Sequence, residues 1–132
     1  MTVISTENQR TSNVLKSEYK PELAYCRLVV TVNEATATTY VPGMVLGKIT
    51  ASGKYLAAVE TAVDGSKTAA AIVLFEKPIK AGTDTKVVVL VKGPSTVAKG
   101  GLILDATYND NTKKNLVYTT LEGLGIQVLE SA

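Results

Sequence analysis

At 132 residues the chain is long enough for one domain that buries roughly two-thirds of the surface its unfolded form exposes. Its 45% hydrophobic content supports a real core, but only 5% is aromatic, with one phenylalanine and no tryptophan, so that core is aliphatic. A net charge of +2, carried by dispersed lysines with one close pair at Lys113-Lys114, is too small for a nucleic-acid groove binder.

Residues 1–21 contain no glycine, and their apolar side chains are too scattered to cover one face of a helix or strand. That composition predicts a flexible N-terminal arm, mobile in the free chain. Residues 22–132 read as a single β-rich domain. Within it, residues 27–32, Arg-Leu-Val-Val-Thr-Val, are dense in β-branched side chains and predict the first strand. Residues 33–39, rich in threonine and alanine, read as a loop. Tyr40-Val41-Pro42-Gly43 predicts a turn, because the proline ring presets φ at one corner and glycine tolerates the next. Residues 44–50 resume an extended pattern, residues 51–54 turn again, and residues 55–59 pair back as a hairpin.

Asp64-Gly65-Ser66 is a strong turn signal. The continuous apolar run 69–75 predicts a strand covered on both faces. Lys77-Pro78 and Ala81-Gly82 bound a connection; residues 86–92 form the clearest central strand, closed by Gly93-Pro94. Gly100-Gly101 break the chain before Leu102-Ile103-Leu104. Residues 115–123 are compatible with one short helix, with Asn115 as N-cap, Gly123 past its end, and Leu116, Leu121 and Leu124 facing the sheet. The β-branched Val117, Thr119 and Thr120 weaken that helix. Residues 126–129 alternate like a closing strand. The expected fold class is mainly β or α+β: a compact small β-barrel or sandwich-like body, at most one or two short helices, and the flexible arm.

Catalytic chemistry finds little support. Cys26 is the lone cysteine, so no internal disulfide forms, and a nucleophilic role lacks its usual base because the chain contains no histidine. A small buried apolar group is the simpler role for it. Gly43 and Gly47 enclose three residues, not the four of a phosphate loop, and Ile49 follows Lys48 where serine or threonine is needed. Gly123-Leu124-Gly125 lacks the third glycine of a dinucleotide fingerprint and reads as a helix-to-strand turn. Asp105, Asp110 and Glu122 do not match calcium-loop spacing and read as solvated carboxylates. No enzyme, cofactor or metal is expected. No basic-then-apolar leader opens the sequence, and its apolar runs are far shorter than a membrane helix, so a soluble protein made in the cytoplasm is expected.

Val41-Pro42-Gly43-Met44-Val45-Leu46-Gly47-Lys48-Ile49, Ser52-Gly53-Lys54-Tyr55, Asp64-Gly65-Ser66 and Ala69-Ala70-Ala71-Ile72-Val73-Leu74, in that order, resemble the lambda-type head decoration (capsid cement) proteins of tailed phages. So does the ending: Thr112-Lys113-Lys114, an apolar segment, a glycine, then Ile126-Gln127-Val128. The resemblance covers roughly residues 40–128. It implies a structural subunit, a homotrimer, that sits at three-fold positions on the outer surface of an assembled virion capsid and stabilises it. The implied partner is the phage major capsid protein, and synthesis is in the host bacterial cytoplasm. No nucleic acid or membrane partner is implied.

In such proteins the N-terminal segment orders on the shell by adding a strand to an exposed sheet edge. The contact is therefore expected at Thr11, Ser12, Asn13, Val14, Leu15 and Lys16, with Val14 and Leu15 as apolar anchors. A competing possibility is a glycan-binding β-domain of a phage tail or surface structure, which requires Tyr40, Tyr55 and Tyr118 to cluster as an aromatic platform.

Overall fold

The computed structural model describes residues 14–18, 26–93 and 95–129. Five strands close into a barrel: β2 (Arg27–Val32), β4 (Val45–Lys48), β5 (Tyr55–Ala57), β6 (Ala69–Val73) and β8 (Thr85–Leu90), in the order β2-β5-β4-β6-β8. A two-stranded ribbon, β3 (Thr38–Tyr40) with β7 (Lys77–Ile79), covers part of it. A second, three-stranded sheet is built from β1 (Leu15–Glu18), β9 (Ser95–Ala98) and β10 (Ile126–Leu129), with α1 (Asn111–Gly123) beside it. The β-rich, barrel-centred fold expected from the sequence is the one observed.

The barrel starts from β2 and β8, the two most β-branched segments, paired antiparallel from Arg27↔Leu90 through Val32↔Thr85. Alternation along them sends Val30, Val32, Val87 and Val89 inward, where they meet Leu46, Ala71 and Val73. β4 and β5 form the expected hairpin, with Lys48 opposite Tyr55. Residues 69–73 of the apolar run become β6, followed by buried Leu74, and are covered on both faces as expected, whereas Phe75 is 46% exposed. Ala71 and Val73 belong to the barrel interior, whereas Ile72 and Leu74 belong to a second core outside it. That outer core is roofed by Val117 and Leu121 of α1, Val97, Ile126 and Val14. Cys26 is fully buried there, as a small apolar group.

Closure of the barrel is its narrowest point. β5 meets β2 in parallel through one pair, Val32↔Tyr55. Side chains reinforce the joint. One carboxylate oxygen of Glu34 accepts hydrogen bonds from the Tyr40 hydroxyl and from the Ala57 N–H, the latter at 3.2 Å. Tyr40 is fully buried, and burial, then the Glu34 carboxylate, push its phenol well above the ordinary value. On the rim, Asp84 accepts from the Asn33 amide at 2.7 Å and from the Lys54 ammonium at 3.0 Å. The end of β2, the β4–β5 turn and the approach to β8 are thereby tied together.

Several local expectations are corrected. Residues 33–39 and 77–80 are not simply loop and connection, because β3 and β7 pair there as a ribbon. Pro78 is tolerated because a two-stranded ribbon leaves each strand an edge where a missing N–H costs nothing. β9 was unmarked in the sequence: four residues, partnered by strands from opposite ends of the chain. Residues 102–104 make only an isolated bridge, Ile103 to Met44.

The helix begins at Asn111, not after Asn115. Asp110 is the N-cap, its carboxylate accepting the Lys113 N–H at 2.8 Å. Its buried face is Val117 and Leu121, four residues apart, while Leu116 is 61% exposed and Leu124 also reaches solvent. The chain leaves the helix through Gly125 at φ +89°, so this glycine and not Gly123 supplies the left-handed turn into β10.

Two predictions test the closure. Tyr40→Phe leaves Glu34 short of one donor in a partly buried site and is expected to cost about 1–3 kcal/mol by denaturant unfolding; an unchanged midpoint would show that the bond does not hold the joint. The Asn33 amide, then Lys54, hold the Asp84 carboxyl below the usual carboxylate range. A lowered folded-state pKa gives stability that is present above the unfolded value of about 3.9 and fades as pH falls through the folded one. Melting temperatures of the wild type and Asp84→Asn should therefore differ at pH 7 and converge below that window; a gap independent of pH would contradict this.

Candidate docking pole

Strand directions gather both ends of the described chain at one pole. β1 runs antiparallel to β9, with Leu15 opposite Val97. β10 runs parallel to β9, with Leu129 opposite Ala98. The start of β1 and the end of β10 therefore lie together at the C-terminal end of β9. Beyond that end, a 3-10 turn at Lys99–Gly101 leads to Ile103, whose N–H donates to the Gly43 carbonyl at 2.8 Å.

The pole is held by close backbone packing. Val14 is fully buried. Gly43 adopts φ +102°, and a Cβ built there would lie 2.1 Å from the Gly101 carbonyl oxygen and 3.0 Å from a Val14 methyl. Only glycine meets both requirements, the left-handed turn and the absence of a side chain. The Pro42-Gly43 turn seen in the sequence thus serves as the socket for the first buried residue of the body.

Around this socket the surface is mixed. Ile103 is 40% and Leu129 36% exposed. A shallow groove of about 290 Å³ runs beside them, lined by Met44, Val45, Ala57, Ile103 and Leu104. The Lys99 ammonium lies over the Tyr118 ring, 4.7 Å from its centre.

The residues singled out in the sequence fall as follows. Thr11, Ser12 and Asn13 lie outside the described residues. Val14 sits in the outer core, Leu15 opens β1 and packs against the same core, and Lys16 is exposed on β1. The expected contact segment thus divides at Val14, with its two apolar residues engaged by the body itself. Residues 15–18, placed within the arm on composition, form a strand of the domain. The missing signal was β9: Thr96 and Val97, β-branched and following a glycine-proline break, are the residues that receive β1.

Tyr40 and Tyr55 point into the barrel interior and Tyr118 lies on α1, so these three make no shared aromatic platform. Asp105 accepts from the N–H and hydroxyl of Thr107, and Asp110 caps α1. Among the described residues, no three acidic or cysteine side chains are grouped as metal ligands, and no helix is long and apolar enough to cross a membrane.

The molecule is a closed aliphatic barrel flanked by a three-stranded sheet, with the start of β1 and the end of β10 at one pole. Residues 4–126 match the family described as Bacteriophage lambda head decoration protein D, and the chain belongs to that family. No curated protein matches the chain. The family is structural, a component of the phage capsid, and its match begins at residue 4, taking in most of the arm as well as the body.

The socket gives a direct test. Gly43→Ala combines a strained φ with a clash against Gly101, and is expected to cost about 1–3 kcal/mol. It should also expose residues 14–18 to limited proteolysis before the barrel is cut; equal protection of wild type and variant would show that the socket does not anchor β1.

Proposed function

We propose that the protein binds the exterior of the assembled phage head at three-fold positions, as a homotrimer on the major capsid protein, and stabilises the shell. It is made in the host bacterial cytoplasm and acts as part of the virion. Family membership supports the capsid role. The observation that carries the mechanism is the anchoring of Val14: it makes residues 1–13 a tether that leaves the body at the pole where β10 also ends.

Fully extended, residues 1–13 reach at most about 45 Å. Thr11, Ser12 and Asn13 supply the first contact next to the body. Lys16 flanks it on β1, and Val14 with Leu15 transmit the load to the core. Backbone groups of the tether add a strand to an exposed capsid edge, a mode in which main-chain hydrogen bonds carry affinity and few special side chains are needed. This accords with a polar segment poor in large apolar residues.

Ordering such a segment costs conformational entropy, so one tether binds weakly. Three tethers on one trimer engage simultaneously, each raising the effective concentration of the others and the avidity by about 10²–10⁴. Binding that requires the three-fold sites of the mature lattice stabilises that lattice by mass action.

Deletion of residues 1–13 tests the mechanism, because it stops short of the buried Val14. The truncated chain is expected to melt within a few degrees of the full chain and to lose at least about a hundredfold in affinity for undecorated heads. Full decoration by the truncated chain would sink the tether mechanism.

A further inference from the structure

For most of its length β2 is partnered on one side only. Residues 27–32 pair with β8 throughout, but β5 meets β2 at Val32↔Tyr55 alone, because the β4–β5 hairpin turns back at residues 51–54. Among the described residues, Leu28, Val29 and Val30 therefore have no strand along their second edge. A strand paired on one side turns alternate N–H and C=O groups toward the other. Consecutive side chains point to opposite faces, yet Leu28 is 49% and Val29 58% exposed, so both faces of the strand are open at this point.

Such an edge, in one of the two most β-branched segments of the chain, is a template for a further strand. A groove of about 430 Å³ runs beside it, with Leu28, Val29 and Thr31 on one wall and Lys48, Gly53 and Lys54 of the hairpin on the other. Its charge is one-sided. The Lys54 ammonium pairs with Asp84 at 3.0 Å, and the Lys86 ammonium donates to the Thr31 hydroxyl. Lys48 is exposed and has no ion pair among the described residues. Three ammonium groups thus stand at the groove against the one carboxylate of Asp84, which Asn33 and Lys54 already engage.

We propose that this groove receives an extended, acidic segment of the major capsid protein, which adds as a strand to the open edge of β2 and sets a carboxylate against Lys48. Backbone groups of β2 supply affinity, and Leu28 and Val29 meet alternate side chains of the guest. A second copy of this chain is the poorer occupant, because pairing two β2 edges brings two lysine clusters together. In the tether mechanism residues 1–13 leave the body at the other end of β5: Ala57 lines the groove at the pole, whereas Gly53 and Lys54 line this one. The contact rests on the capsid binding proposed above and adds a second grip to it. A tether at one end of β5 and a groove at the other let one subunit hold two neighbouring shell proteins, which favours the assembled lattice.

Hydrogen exchange of the full chain, free and on undecorated heads, tests the contact in peptides spanning residues 27–32. Exchange there is expected to slow by about tenfold or more on heads. Heads that bind the chain without slowing it leave decoration standing and overturn the groove contact, whereas a chain that does not bind heads overturns both. Slowing that appears on self-association without heads assigns the edge to a second copy and overturns the proposal. So does slowing already present in the free chain and lost on deletion of residues 1–13. Lys48→Glu, at an exposed position without an ion pair, is expected to keep the wild-type melting temperature and to lose about tenfold in affinity for heads, with Lys48→Arg close to wild type; equal affinity of Lys48→Glu and wild type overturns an acidic occupant and the proposal with it.

Discussion

Everything else in the molecule depends on the closure of the barrel between β2 and β5. A single residue pair joins these strands, so the ladder alone is too short to hold the seam. Glu34 makes up the difference by accepting from a hydroxyl on β3 and an N–H on β5 at the same oxygen. Low local dielectric strengthens such bonds and makes their loss costly. With the seam shut, β6 and β8 present a fixed outer face; α1 packs on that face through Val117 and Leu121, and the β1-β9-β10 sheet on the same outer core. That sheet then helps to bury Val14. The burial of Val14 is in this sense a late consequence of the bonds that shut the seam.

The two cores share β6 and β8, which explains how a chain with so few aromatic residues builds a stable body. Strands buried on both faces contribute apolar area twice, and aliphatic side chains pack such narrow layers without leaving polar atoms unpaired. Among the described residues, no buried side-chain nitrogen or oxygen lacks a partner. Titratable groups follow the same economy. Burial, then nearby Glu60 and Asp105, raise the Tyr108 phenol, while its hydroxyl donates to the Lys67 carbonyl and pins the loop before β6. These groups are spent on holding the frame, consistent with a family whose role is structural.

Much of the frame was legible from residue order. The strands at 27–32 and 126–129 begin and end as read, and the hairpin around residues 51–54, the turn at Asp64-Gly65-Ser66 and the doubly covered strand at 69–73 follow from apolar patterning and turn chemistry. The helix was legible in type but not in start or face. Asp110 and Asn115 are both plausible caps, and Leu116 and Val117 are both plausible inward residues. Only the height of the helix over the outer core decides between them. β3, β7 and β9 escaped notice because each is three or four residues long and gains its stability from partners distant in sequence.

The division between arm and body shows the same limit most clearly. By itself the sequence set a polar first part, with scattered apolar residues, apart from a β-patterned remainder rich in β-branched runs and turn signals. It also showed that histidine is absent and that the glycines and carboxylates lack the spacing of a phosphate loop, a dinucleotide fingerprint or a calcium loop. Where the arm ends was decided by tertiary structure. Nothing local marks Val14 and Leu15 for burial, yet Val14 packs beside Gly43 and Leu15 pairs with Val97 of β9. A local sequence carries no record of the space that a distant glycine leaves open, and that space is what lets Val14 pack into the body.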